Sequence, residues 1–196
     1  MYHFTDEDFK VFEIEGLENR MTALIETTRP KLEKLGDYFS DFLTAQTGET
    51  YYPHVAKHLR RTTNPPDDTW VAFSTHKRGY KMLPHFQIGL FGSHVFVLYG
   101  VIYESPEKER VAETFMKKEQ TILALDDFIM KRDHMKEASE AIEEEALCDN
   151  LLRLKNVKKG ELLFGKRYEP GHPALQSDQA FLQEVEDTFL KLIELR

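Results

Sequence analysis

Apolar residues recur at intervals of three and four through the first quarter of the chain. Leu17, Met21, Leu24, Ile25, Leu32, Leu35, Phe39, Phe42 and Leu43 predict a long amphipathic helix to about Ala45, with Gly48 as its stop. Pro30 lies inside this pattern and is expected to break or kink it. Before it, Thr5 and Asp8 stand in capping-box positions ahead of a short helix carrying Phe9 and Phe12. The period then changes from helical to alternating. Trp70–Phe73 is short, aromatic and β-branched, and Phe86, Ile88 and Leu90 alternate with His85, Gln87 and Gly89. Phe91–His94 reads as a turn, and Val95–Tyr103 is apolar on both faces, as in a strand buried on both sides. These three segments predict an antiparallel meander.

The second half returns to mixed patterning. Ser105–Pro106 predicts the start of a helix reaching about Leu123. Phe128–Met130 reads as a short strand, Glu143–Lys155 as a helix and Gly160–Tyr168 as a strand. The acidic run Glu140–Glu145 is expected to be a solvated helix start. Ser177 should cap a last helix with Phe181, Val185, Phe189, Leu192 and Ile193 facing inward. The expected fold is α+β: a single domain, residues 1–196, with a central antiparallel sheet and helices packed on it.

Residues 54–62 fit two readings. As a strand, His54, Ala56, His58 and Arg60 share a face. As a helix, His54 and His58 lie one turn apart. An aromatic–proline entry and the Pro65–Pro66 exit favour the strand.

Several blocks have a familiar form. Glu15–Met21 with Arg29–Pro30, the stretch His54–Phe73, Lys77–Tyr80 and Pro84–Phe91 resemble the YktB-like family, a group of uncharacterised proteins from Bacillus-type bacteria. The likeness covers nearly the whole chain and is weakest from about Lys131 to Lys159. It implies an α+β fold. It supplies no catalytic residues to carry over.

Charge alters the picture more than composition does. With 26 basic and 34 acidic residues the net charge is −8. From His54 to His85, however, Lys57, Arg60, Arg61, Lys77, Arg78 and Lys81 face only Asp67 and Asp68, a surplus of +4 that leaves −12 on the remainder. Such a patch focuses an anionic ligand. The expected ligand site therefore comprises His54, His58, Arg60, Arg61, Lys77, Arg78, His85 and Gln87. Its arginines offer bidentate forks to phosphate or carboxylate, and Trp70, Tyr80 and Phe86 offer rings for stacking. A small anionic molecule is the expected partner. Single-stranded nucleic acid ranks below it because of the acidic remainder.

Two other readings compete. One is a His-dependent acid–base enzyme acting on an anionic substrate, with His54, His58, His76 or His85 as base and Glu104 as orienting carboxylate. The other is a protein-interaction module using the acidic helices. Metal binding is not expected: Val55 stands where a metalloprotease helix needs Glu, and no third ligand is evident. No cofactor is expected either, since the chain carries no P-loop and no dinucleotide-binding glycine pattern. Cys148 lies among acids, which disfavours its thiolate. One cysteine, no basic–apolar leader and a longest apolar run of nine residues point to a soluble cytoplasmic protein with no membrane segment. Neither the ligand nor the oligomeric state is specified by these patterns.

Overall fold

The computed structural model describes residues 1–196. Seven strands form one antiparallel sheet in the order β1-β2-β3-β4-β7-β5-β6. They are β1 Tyr52–Val55, β2 Asp68–Ser74, β3 His85–Phe91, β4 Val95–Val101, β5 Ile129–Lys131, β6 Glu140–Ala141 and β7 Leu162–Tyr168. The helices are α1 Asp6–Lys10, α2 Leu17–Ala23, α3 Arg29–Thr47, α4 Lys108–Lys117, α5 Glu119–Leu123, α6 Glu144–Asn156 and α7 Asp178–Ile193. No helix is long and apolar enough to cross a membrane.

The expected α+β class and the β2–β3–β4 meander are both present. Val71 pairs with Ile88, and Ile88 with Val97, so their side chains share one face. On that face Phe73, Phe86 and Tyr99 meet Leu35 and Phe39 of α3 and Phe181, Val185 and Phe189 of α7. Phe189 stands edge-on to Phe39, Phe73 and Phe86 at 5.3, 5.9 and 5.0 Å between centroids. The other face is smaller. Phe91, Phe96, Leu98, Ile102 and Leu163 form a second apolar cluster there, joined by Trp70 and Tyr80. Two glycines make this face possible. A Cβ on Gly89 would lie 2.4 Å from the Phe96 ring, and one on Gly165 would lie 1.9 Å from the Val97 carbonyl oxygen.

Pro30 does not break the first long helix. One wider π turn, Leu24–Thr28, intervenes, and Pro30 then falls in the first turn of α3, where a missing N–H is harmless. Gly48 closes α3 with φ 74°, its N–H bonded to Thr44 O at 2.9 Å. The Thr5 N–H bonds the Asp8 carboxylate at 2.8 Å, and Ser177 Oγ accepts the Ala180 N–H at 3.1 Å.

Four local expectations are corrected. Of the ambiguous stretch, residues 54–62, only His54 and Val55 lie in a strand, as the end of β1. After the Ala56 N–H bonds Trp70 O, the chain leaves the sheet because His58 adopts φ 53°, a left-handed backbone no strand contains. Glu140–Ala141 is an edge strand rather than a helix start, and α6 begins at Glu144. The helix expected from Ser105 to Leu123 is two helices, α4 and α5, separated at Lys118. The short strand is displaced by one residue to Ile129–Lys131, which puts Met130 into the main core and Lys131 on the opposite face, across from Leu163.

Candidate functional site

The loop from Ala56 to Asp67 folds over the smaller face of the sheet. Arg20, in α2, pins its exit: Nε donates to Ile14 O at 2.9 Å and Nη1 to Pro66 O at 3.0 Å. His58 turns inward, its Nε2 3.2 Å from Thr69 Oγ1 and its ring perpendicular to Trp70 at 5.6 Å. Trp70 Nε1 in turn donates to the Tyr80 hydroxyl at 3.2 Å. The result is a cleft of about 550 Å³ between this loop, Trp70, Tyr80 and the segment after β5.

Four cations line the cleft, Lys57, Arg60, Arg61 and Lys81, and no carboxylate does. Glu104 holds Lys81 at 2.5 Å, and Arg61 Nη1 reaches only Pro65 O at 3.4 Å. Lys57 and Arg60 are exposed and enter no ion pair. Glu104, expected to orient a histidine, is thus a lysine partner instead. A wider depression of about 770 Å³ lies between α1 and residues 171–176, but it mixes Asp6, Glu7 and Glu26 with Lys31, so no single sign of charge dominates it.

The expected site residues separate into three groups. His58, Arg60 and Arg61 line the cleft. His85 and Gln87 lie in the sheet and are sealed, at 0% and 3% exposure. His85 Nδ1 donates to Leu83 O at 2.9 Å, and its Nε2 accepts from the Gln87 amide at 2.8 Å, with the Tyr80 ring 4.7 Å above it. His54, Lys77 and Arg78 do not line the cleft. His54 Nε2 bonds His76 O at 3.0 Å beside Tyr80, while Lys77 and Arg78 are exposed on the β2–β3 connection. Burial pushes the imidazoles of His58 and His85 down to about 4, so both are neutral at pH 7.

Residues that the pattern of the chain did not single out also meet here. Lys131 is 1% exposed and its Nζ has no hydrogen-bond partner; it lies 4.7 Å over the Phe91 ring and 5.4 Å from that of Phe96. Burial lowers its ammonium to about 8, against the attraction of Asp68. Asp68, 2% exposed with Oδ1 unpartnered, is raised by burial to about 6, against the pull of His134, Arg61 and Lys131.

His134 lines the cleft and its Nδ1 lies 2.8 Å from Glu161 Oε2. The same oxygen accepts the His134 backbone N–H at 3.0 Å, and Oε1 accepts the Tyr103 N–H at 3.3 Å. Burial alone would raise the Glu161 carboxyl, but these three donors outweigh it and hold it below its ordinary value. Asp133, His134 and Glu161 each place one ligand atom within 4.8 Å of the others. His134 Nδ1 and Glu161 Oε2 are bonded to each other and Asp133 Oδ1 accepts the Met135 N–H at 2.9 Å, so the arrangement is a hydrogen-bonded cluster before it is a metal cage. No sequence signal marks this dyad: Glu161 stands immediately before β7, and His134 sits in an irregular segment after β5.

A family model described as a domain of unknown function, DUF1054, matches residues 4–196. A UPF0637 protein from Macrococcus caseolyticus is 66% identical over 198 residues, covering 99% of this chain and 98% of the relative. A UPF0637 protein from Staphylococcus aureus strain Newman is 50% identical over 192 residues, covering 96% and 94% respectively. Neither name states a ligand or a reaction.

Proposed function

The chain belongs to the DUF1054 family, and from the geometry of its cleft we propose that it binds a small anionic molecule carrying a planar ring. One observation carries this reading: the cleft is lined by four cations, two aromatic rings and no carboxylate, on a chain of net charge −8. Repulsion elsewhere on the surface and attraction here direct an anion to one place. Arg60 and Arg61 supply forked donors for phosphate or carboxylate. Trp70 and Tyr80 are held in place by their mutual hydrogen bond and offer a surface for the ring. A volume of about 550 Å³ suits a single small molecule.

Phenyl phosphate is a suitable probe, followed by isothermal titration. The expected result is saturable binding that weakens as salt rises. Arg60→Ala should weaken it at least tenfold, the loss of a charge-assisted hydrogen bond worth about 1.5–3 kcal/mol. Trp70→Leu should reduce the preference for phenyl phosphate over inorganic phosphate. Binding indifferent to both substitutions would remove the reading.

A further inference from the structure

A carboxylate only accepts hydrogen bonds, so the contact at 2.8 Å requires the proton of His134 to sit on Nδ1. In the neutral form of the ring Nε2 then carries the lone pair. It has no protein partner, and it is not among the buried side-chain atoms left without one, so it reaches solvent at the cleft wall. Glu161 is 4% exposed and His134 9%, so neither the carboxylate nor the ring swings freely. A base at the surface of a cleft, fixed in one tautomer by a buried acid behind it, is the relation found where imidazoles take protons during catalysis. The charged and titratable groups that face His134 are Glu161, Asp133, Asp68 and His85 on its buried side, and His58, Lys57, Arg60, Arg61 and Lys81 around the cleft.

We propose that His134 is a general base of the cleft, with Glu161 as its positioning residue, and that the bound anion is an ester whose hydrolysis needs an activated water. The inference rests on the anion-binding reading above. A water between Nε2 and the ester gives its proton to Nε2 as its oxygen bonds to the acyl carbon. The carbonyl electrons move onto oxygen, where Arg61 faces the developing charge, while Arg60 holds the substrate's own carboxylate. The acyl–oxygen bond then breaks, and the leaving oxygen keeps the electron pair and takes the proton back from the imidazolium. Glu161 offsets the transient positive charge and holds the ring in the productive tautomer.

The probe is 4-acetoxybenzoate, an anionic aryl ester whose carboxylate cannot reach its own acyl carbon; release of 4-hydroxybenzoate is followed by absorbance. The wild-type protein should exceed His134→Gln at least tenfold. Glu161→Gln should lower kcat about tenfold or more with KM within twofold, whereas Arg60→Ala should act mainly on KM. A second measurement needs no ligand and no carboxylate substitution: long-range proton–nitrogen correlation on labelled wild-type protein should find the His134 proton on Nδ1. A wild-type rate equal to that of His134→Gln, or a proton on Nε2, overturns the proposal. If 4-acetoxybenzoate displaces phenyl phosphate but is not hydrolysed, the base falls and anion binding stands. Hydrolysis that depends on His134 without any phenyl phosphate binding gives the reverse.

Discussion

Replacing Lys131 with methionine should stabilise the protein at neutral pH. The ammonium is almost fully buried and makes no hydrogen bond, and burial lowers it from 10.5 to about 8. That difference corresponds to about 3 kcal/mol of unfavourable free energy when the group is charged at pH 7. Methionine keeps an unbranched chain over Phe91 and Phe96 and exchanges a cation–ring contact for a sulfur–ring contact of similar size. The attraction of Asp68 is already contained in that lowered value, so its loss is not subtracted again. The net expectation is a gain of about 1–3 kcal/mol, in line with replacement of other buried charges by apolar groups. The pH dependence makes the test specific. Below about 8, Lys131 is charged in both folded and unfolded chains, and the penalty is present in full. Between about 8 and 10.5 the folded group is neutral while the unfolded one still binds its proton, so wild-type stability rises relative to the variant. Above 10.5 both are neutral and the difference closes. Paired urea unfolding of wild type and Lys131→Met from pH 7 to 10.5 measures this directly. A variant less stable at pH 7, or a gain that does not shrink with pH, refutes the reasoning.

Other substitutions test other parts of the fold. His85 is neutral and sealed, held by burial at about 4, so stability should fall as pH drops from 6.5, where the unfolded imidazole protonates first. At pH 4.5 the loss is about 2–3 kcal/mol, and His85→Gln should shrink the difference in urea midpoint between pH 7 and 4.5; an unchanged difference counts against it. Gly165→Ala would place Cβ 1.9 Å from Val97 O, and the strands must separate to admit it. A loss of about 3 kcal/mol or more in the same assay is expected, and a neutral result would mean the β4–β7 pairing is not as described. Phe189→Ala removes the ring that Phe39, Phe73 and Phe86 surround, and should cost about 3–5 kcal/mol with little effect on phenyl phosphate binding.

Much of the fold is legible in local periodicity. The meander appears because His85–Phe91 alternates and Val95–Val101 is apolar on both faces, and a change of period is a property of neighbouring residues. Caps at Thr5, Gly48 and Ser177 are legible for the same reason. The interruption expected at Pro30 takes the form of one π turn just ahead of it, and that form depends on one extra residue in the turn, which no period records. The acidic run at residues 140–145 misled because charge does not distinguish an edge strand from a first helical turn.

The candidate site divides along the same line. The charge contrast between residues 54–85 and the rest of the chain is a sum over sequence, and it locates the basic loop without any coordinates. Which of those residues face the cleft is decided by a single left-handed residue, His58, which takes Arg60 and Arg61 out of the sheet while His85 and Gln87 stay sealed within it. The dyad of His134 and Glu161 belongs to tertiary structure alone. Its members lie 27 residues apart and meet only because β5 pairs with β7, bringing the segment after one strand alongside the residue before the other. Local pattern determined the elements and the sign of the patch. Pairing between distant strands determined which base stands beside it, because contact between remote residues is a consequence of topology rather than of any interval along the chain.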